Sequence, residues 1–109
     1  MASRIHIPTA RKNGEPYEPP KVVYAAGPYK RPPYWFEGSI FANPYNKAFR
    51  REEIAREQSV SLFRDYAIAI PRIIEELLSL PCDVIFGCWC PLDVECHVDV
   101  LIELMEERR

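Results

Sequence analysis

The placement of proline divides this chain into two halves that differ in the secondary structure open to them. Eight of its 11 prolines lie at or before Pro44, and only three follow. Because proline lacks an amide hydrogen and has a fixed φ angle, it is excluded from helix interiors and central strands. We therefore expect short strands and shaped loops in the first half, and helices mainly after Pro44.

The first half contains two candidate strands. Residues 4–7 alternate polar and apolar side chains, as an edge strand does, and residues 12–16 are typical of a turn. Residues 21–26 are rich in strand-forming residues and end at Gly27 and Pro28, so a buried strand followed by a turn is predicted there. Residues 29–46 are aromatic and proline-rich without a helix or strand period, which predicts a long ordered loop.

The second half has helical periodicity from Arg51. An apolar stripe at spacings of three and four comprises Ala55, Ser59, Leu62, Phe63, Tyr66, Ala67 and Ile70. Pro71 predicts a break near Ile70, followed by a second helix. Residues 83–88 form a short apolar run that predicts a buried central strand. Residues 95–108 predict a final helix with Val100, Leu101, Leu104 and Met105 on one face.

This order of elements predicts an α/β fold in one domain spanning residues 1–109. Strands joined by helices predict a small Rossmann-like domain, with a short, mostly parallel sheet flanked by helices. Residues 1–20 are expected to form a partly extended N-terminal arm. Folds of this kind bind ligands beyond the carboxyl ends of their strands. We therefore expect Gly27 and Cys88, at two such ends, to lie close together.

Three cysteines and a histidine lie within ten positions near this predicted edge: Cys88, Cys90, Cys96 and His97. Residues two apart on a strand point the same way, so Cys88 and Cys90 are expected to converge, with Trp89 on the other side. The first turn of the final helix would lower the pKa of the Cys96 thiol. Candidate catalytic residues are therefore Cys96, His97 and Cys90.

The same four side chains are also candidate metal ligands. Cys88, Cys90, Cys96 and His97 have the right chemistry for structural zinc. Adjacent residues on a helix diverge by about a quarter turn, so binding through both Cys96 and His97 requires an irregular first turn. The remaining alternative is that the cysteines pack as small hydrophobic residues, as is expected of Cys82 before the strand.

Other residues near the predicted edge are candidates for contact with a ligand. Five basic residues bracket the aromatic loop and have the charge to bind a phosphate: Lys30, Arg31, Lys47, Arg50 and Arg51. The expected ligand-binding residues are Gly27, Pro28, Arg31, Asn43, Trp89 and Asp99. For Asn43 in its Asn-Pro turn, and for Asp99 in a first helical turn, a structural role is the alternative.

Charge and hydropathy exclude some classes of function. The formal net charge is −2, so no global field attracts nucleic acid or anionic membranes. The sequence contains no basic segment followed by an apolar run at its N-terminus, and no stretch long enough to span a membrane. We expect a soluble, cytoplasmic protein whose cysteines are reduced, metal-bound or catalytic rather than paired in disulfides.

Several of these motifs together resemble a small uncharacterised domain family found in bacteria and their phages. The matching segments are Ala-Asn-Pro-Tyr at 42–45, Arg-Glu-Glu at 51–53, Cys-Trp-Cys-Pro at 88–91 and Cys-His-Val-Asp-Val-Leu at 96–101. The family pattern has a Gly-Asn-Pro-Phe-like turn and a C-terminal Cys-Trp-Cys-x-Pro and Cys-His signature. The resemblance implies which positions matter, and it implies no activity.

A second resemblance concerns only residues 22–28, which are similar to the first strand and turn of nucleoside deoxyribosyltransferases. The acidic nucleophile motif of those enzymes is not evident in this chain. The resemblance implies a nucleotide or nucleoside-like ligand and leaves the reaction open. We therefore expect such a ligand to bind between the aromatic loop and the cysteine cluster, with or without thiol-dependent chemistry. The alternatives are a zinc-stabilised, non-enzymatic interaction module and a nucleic-acid-binding module that uses aromatic stacking.

Overall fold

A computed structural model of the chain describes residues 2–7, 22–31 and 34–108. The described strands are β1 (Ser3–His6), β2 (Val22–Tyr24), β3 (Tyr29–Arg31), β4 (Tyr34–Phe36) and β5 (Ile85–Cys88). The described helices are α1 (Asn46–Arg50), α2 (Arg56–Ala69), α3 (Pro71–Ser79) and α4 (His97–Arg108). The turn expected at residues 12–16 and most of the expected N-terminal arm lie outside the described residues.

The main sheet has three parallel strands in the order β1-β5-β2. This arrangement confirms the α/β class, the edge position of the first strand and the central position of β5. Tyr24 pairs with Gly87, and the amide of Ala25 donates to the carbonyl of Gly87 at 3.0 Å. The carboxyl ends of β2 and β5 therefore lie side by side, as expected.

The prediction of a loop over residues 29–46 is wrong for residues 29–31 and 34–36, which form strands. β3 and β4 pair as an antiparallel hairpin, with Tyr29 opposite Phe36. Aromatic residues favour strands, and Phe36 gains a tertiary partner because its ring stacks on Tyr24 with the centroids 4.2 Å apart. Because the hairpin takes up its first part, the irregular segment that precedes α1 is shorter than predicted.

The helix expected from Arg51 begins instead at Arg56. Glu52 has a φ angle of 60°, in the left-handed region that ends a helix, and its amide donates to the carbonyl of Phe49 at 3.0 Å. This turn terminates α1 and separates it from α2. The predicted break at Ile70 is confirmed, because Ile70 is extended and Pro71 occupies the first turn of α3.

Apolar side chains of β5 and the three longer helices form most of the core, and Ile7, which follows β1, is buried as well. The largest side chains with less than 2% exposure are Phe63, Phe86, Ile7, Ile73, Leu77, Leu101, Leu104 and Val98. Of the expected stripe on α2, Ser59, Phe63 and Ala67 are buried. The apolar face predicted for α4 is buried as expected. Among the described residues, no helix has the length and apolar character needed to cross a membrane.

Candidate functional site

A cluster of thiols and one imidazole lies where β5 leads towards α4. The sulfur atoms of Cys88 and Cys96 are 3.3 Å apart, and the Cys96 sulfur is 3.5 Å from Nδ1 of His97. All three side chains are buried. Cys96 lies immediately before α4 rather than in its first turn. Because Cys96 is outside the helix, it and His97 converge despite being adjacent in sequence.

The hydrogen bonding of His97 defines which ring nitrogen carries the proton. Nε2 lies 2.5 Å from the carbonyl oxygen of Ala25, which can only accept, so Nε2 donates. Burial lowers the pKa of the imidazole and favours its neutral form. In that form Nδ1 has no proton, and its lone pair faces the sulfur of Cys96.

Cys90 is the thiol of the cluster that lies nearest to the solvent. It is half-buried, and Nη1 of Arg56 donates to its sulfur at 3.7 Å. Hydrogen bonds from Cys88 and Cys96 lower the pKa of the Cys90 thiol, and Arg56 adds to the effect. The pKa of the Cys96 thiol is raised, first through its hydrogen bond with Cys88. Negative charge in the cluster is therefore favoured on Cys90.

A clamp formed by Arg4 holds the loop between Cys90 and Cys96. The Arg4 guanidinium donates to the carbonyls of Pro91, Leu92 and Val94 at 3.1, 3.3 and 2.9 Å. It also pairs with Asp99, with 3.3 Å between Nε and Oδ1. Asp99 in turn accepts the amide hydrogen of Cys96 at 3.0 Å, as an acid in a first helical turn does.

Aromatic rings form a wall beside the cluster. The indole of Trp89 donates to the hydroxyl of Tyr24 at 2.9 Å, and that hydroxyl donates to the carbonyl of Gly27. The rings of Trp89 and Tyr29 have centroids 4.7 Å apart. Trp89 also meets Phe36 edge-on, with centroids 6.1 Å apart. These contacts connect the hairpin to the end of β5.

The cluster and the aromatic wall border a cavity of about 540 Å³, which we call the edge cavity. It is lined by Tyr24, Ala26, Gly27, Pro28, Tyr29, Asn43, Asn46, Phe49, Arg50, Arg56, Cys88, Trp89, Cys90, Pro91 and His97. Because β5 ends at Cys88, strand alternation does not extend to Trp89. The indole therefore lines the same cavity as Cys88 and Cys90, and the expectation that it faces the other side is wrong.

The structure brings most of the expected ligand-binding residues to this cavity. Gly27, Pro28, Asn43 and Trp89 line it, whereas Asp99 does not. Asn43 also has the structural role considered for it, because its amide donates to the Ser59 hydroxyl at 2.9 Å. The side chain of Arg31 lies outside the described part of the structure.

The candidate catalytic and metal-binding residues also converge. Cys90 and His97 line the cavity, whereas Cys96 lies behind them with 1% exposure. Ligand atoms of Cys88, Cys96 and His97 lie within 4.8 Å of one another. Cys82 is exposed, so the expectation that it packs is wrong. The four cysteines are free thiols.

Sequence reasoning missed Arg4, Arg56 and Phe49 as parts of the site. Arg4 belongs to an edge strand more than eighty residues before the loop it binds. Arg56 lies with its guanidinium carbon 4.6 Å from the centroid of the Phe49 ring. Both relationships are tertiary contacts, and no local spacing in the sequence indicates them.

Comparison with known proteins identifies a family without an assigned activity. A family model described as a domain of unknown function, DUF4326, matches residues 8–107. No curated protein and no solved structure matches this chain. The uncharacterised family expected from the motifs is therefore confirmed. Since the match extends over nearly the whole 109-residue chain, this protein belongs to the DUF4326 family.

Proposed function

We propose that this protein binds a nucleotide-like small molecule in the edge cavity. The observation that carries the proposal is the chemistry of the lining: two arginines and several aromatic rings, with no carboxylate among the described lining residues. The chain as a whole has a net charge of −2, so the excess of positive charge is confined to the lining of this cavity. A volume of about 540 Å³ is in the range of cavities that hold small-molecule ligands.

The aromatic wall supports binding of a planar base. Trp89 lines the cavity and is held by its hydrogen bond to Tyr24 and by its contact with Tyr29. A ring that is already oriented loses little conformational freedom when a base stacks on it. Asn46 is an exposed lining residue whose amide has both a donor and an acceptor for the edge of a base.

Arg50 is the residue best suited to bind a phosphate. It lines the cavity, is exposed, and has no ion-pair partner among the described residues. Arg56 is already engaged, because it donates to the carbonyl of Glu95 at 3.3 Å and to the sulfur of Cys90. A guanidinium without a carboxylate partner forms charge-assisted hydrogen bonds to phosphate oxygens without first losing an ion pair.

Two further features accompany this proposal. A Rossmann-like sheet accounts for the position of the edge cavity beyond the carboxyl ends of β2 and β5, where such folds bind ligands. Four free cysteines support a cytoplasmic location, where thiols are kept reduced. The catalytic roles expected for Cys90, Cys96 and His97 stay predictions. The proposal for this cavity is therefore binding alone.

Calorimetric titration of the full chain tests the proposal. Nucleoside monophosphates are compared with the corresponding nucleosides and with inorganic phosphate. Replacing Arg50 by Gln should weaken nucleotide binding by roughly 10- to 100-fold, because a charge-assisted hydrogen bond contributes about 1.5–3 kcal/mol. The same variant should leave nucleoside binding unchanged. Arg51→Gln is the matched control, since Arg51 is an exposed neighbour that does not line the cavity.

A second variant tests the aromatic wall. Trp89→Leu should weaken the binding of both nucleotides and nucleosides, because stacking of a base on an aromatic ring contributes about 1–3 kcal/mol to the binding free energy. The proposal is wrong if no nucleoside monophosphate binds, or if Arg50→Gln weakens the binding of nucleosides as much as the binding of nucleotides. Binding of a single-stranded oligonucleotide without binding of mononucleotides would favour the nucleic-acid alternative.

A further inference from the structure

The floor of the edge cavity contains a set of soft ligand atoms that face one another. The sulfurs of Cys88 and Cys96 and a ring nitrogen of His97 lie within 4.8 Å of one another. We propose that Cys88, Cys90, Cys96 and His97 bind one zinc ion, through three sulfurs and Nδ1. This site goes beyond nucleotide binding, because it uses the thiols and the imidazole at the floor of the cavity rather than the aromatic wall and Arg50.

The distances within the cluster are close to those of a zinc site. Zinc–sulfur bonds of about 2.3 Å and zinc–nitrogen bonds of about 2.0 Å in a tetrahedron separate two sulfurs by roughly 3.8 Å, and sulfur from nitrogen by roughly 3.5 Å. The observed separation of the Cys96 sulfur from Nδ1 of His97 is 3.5 Å. The two sulfurs of Cys88 and Cys96 are 3.3 Å apart, so they need to separate by only a few tenths of an ångström.

His97 is already in the tautomer that a metal requires. Its Nε2–H donates to the carbonyl of Ala25, so the lone pair of Nδ1 is directed into the cluster. Histidine ligands commonly donate their second ring N–H to a carbonyl or carboxylate, which orients the ring. The backbone at Cys96 is held similarly, since its amide donates to Asp99. Both ligands therefore have hydrogen bonds that hold them in position.

Cys90 is the fourth ligand and connects the site to solvent. It follows Cys88 by two residues, and its sulfur accepts from Nη1 of Arg56 at 3.7 Å on the solvent side of the cluster. The sulfur is outside the set of atoms that lie within 4.8 Å of one another, so the side chain turns towards Cys88 and Cys96 when the ion binds. It is half-buried and lines the edge cavity, which supplies the route by which an ion enters. Three thiolates and one imidazole form a ligand set that selects zinc over hard cations such as magnesium.

Cobalt(II) titration of the reduced full chain tests the site directly. Cobalt in a tetrahedral site with thiolate ligands absorbs in the visible range and has a thiolate-to-metal charge-transfer band in the near ultraviolet. We expect both signals to saturate at one cobalt per chain and to disappear when one equivalent of zinc is added. Metal analysis of the purified protein should find one zinc per chain. A chelator should lower the melting temperature of the zinc-loaded chain.

Serine variants assign the ligands. Cys88→Ser and Cys96→Ser should each abolish tight cobalt binding, whereas Cys82→Ser, at an exposed thiol outside the cluster, should bind as the wild type does. Cys90→Ser should lower the charge-transfer intensity per bound cobalt by about one third, because two of three thiolates remain. Circular dichroism checks that each variant is folded.

Three results would overturn the zinc site. The first is a wild-type titration without the tetrahedral cobalt spectrum, which is independent of whether any variant folds. The second is a cobalt spectrum that is unchanged in Cys88→Ser and Cys96→Ser. The third is a charge-transfer band that is unchanged in Cys90→Ser, which would exclude Cys90 as a ligand. Nucleotide binding by the wild type can succeed or fail independently of all three.

Discussion

Replacement of Arg4 by Met is expected to destabilise the protein more than any comparable change at an exposed arginine. The Arg4 side chain has 8% exposure, and its guanidinium binds three carbonyls of the loop that precedes Cys96. It also pairs with Asp99, whose carboxylate accepts the amide hydrogen of Cys96. Met keeps much of the apolar volume of arginine but cannot donate any of these hydrogen bonds.

The magnitude follows from the exposure of each partner. The bond to the partly buried carbonyl of Val94 is assigned about 1.5 kcal/mol, as expected for a hydrogen bond from a charged donor. The bonds to the exposed carbonyls of Pro91 and Leu92 are assigned about 0.5 kcal/mol each, because water replaces the lost donor. The ion pair adds about 0.5 kcal/mol, since Asp99 is 42% exposed. The free energy of unfolding should fall by about 3 kcal/mol.

Urea denaturation followed by circular dichroism measures this change. We expect the midpoint to fall while the slope of the transition is unchanged, because the exposed surface is nearly the same in both proteins. Arg72→Met on α3 is the matched control, since Arg72 is exposed, and its effect should stay within about 0.5 kcal/mol. The proposed clamp would be refuted if the free energy of unfolding of the Arg4→Met protein were within about 0.5 kcal/mol of the wild-type value.

Two other substitutions have clear expected outcomes. Gly87→Ala should lower the free energy of unfolding by about 1–3 kcal/mol, because the added Cβ would lie 2.9 Å from a methyl carbon of Val22 in the neighbouring strand. Gly27→Ala, where no atom lies within 4 Å of the added carbon, is its control in the same denaturation assay, and equal effects would contradict the argument. Asn43→Ala should lower the free energy of unfolding by about 1–2 kcal/mol. It removes the hydrogen bond to the Ser59 hydroxyl and the one that Oδ1 accepts from the amide of Tyr45. Thermal unfolding checks this value, and an unchanged melting temperature would show that Asn43 is not structural.

Local sequence was sufficient to predict those elements whose side-chain pattern is set by burial on one face. The final helix was predicted from its apolar face, and Leu101 and Leu104 are fully buried in α4. β5 was predicted from an apolar run that a central parallel strand requires, and Phe86 has 0% exposure. The break before Pro71 followed from the restriction that proline places on the preceding residue.

Elements that depend on partners distant in sequence were predicted poorly. The hairpin formed by β3 and β4 was missed because the stack of Phe36 on Tyr24 joins residues from different segments. The start of α2 was placed five residues too early, at Arg51 rather than Arg56, because the left-handed conformation of Glu52 has no strong local signal. Non-glycine residues adopt this conformation only where the surrounding structure imposes it.

The sequence by itself determined that a parallel α/β sheet ends in a group of thiols and one histidine. Hydrophobic periodicity and the positions of proline are local properties, so they are readable without the fold. Tertiary structure alone decided how those groups are placed relative to one another. It placed Cys96 outside α4 so that its sulfur meets Nδ1 of His97. It brought Arg4 onto the loop beside them and placed Arg50 in the same cavity as Trp89, because contacts between distant segments are determined by packing and not by spacing.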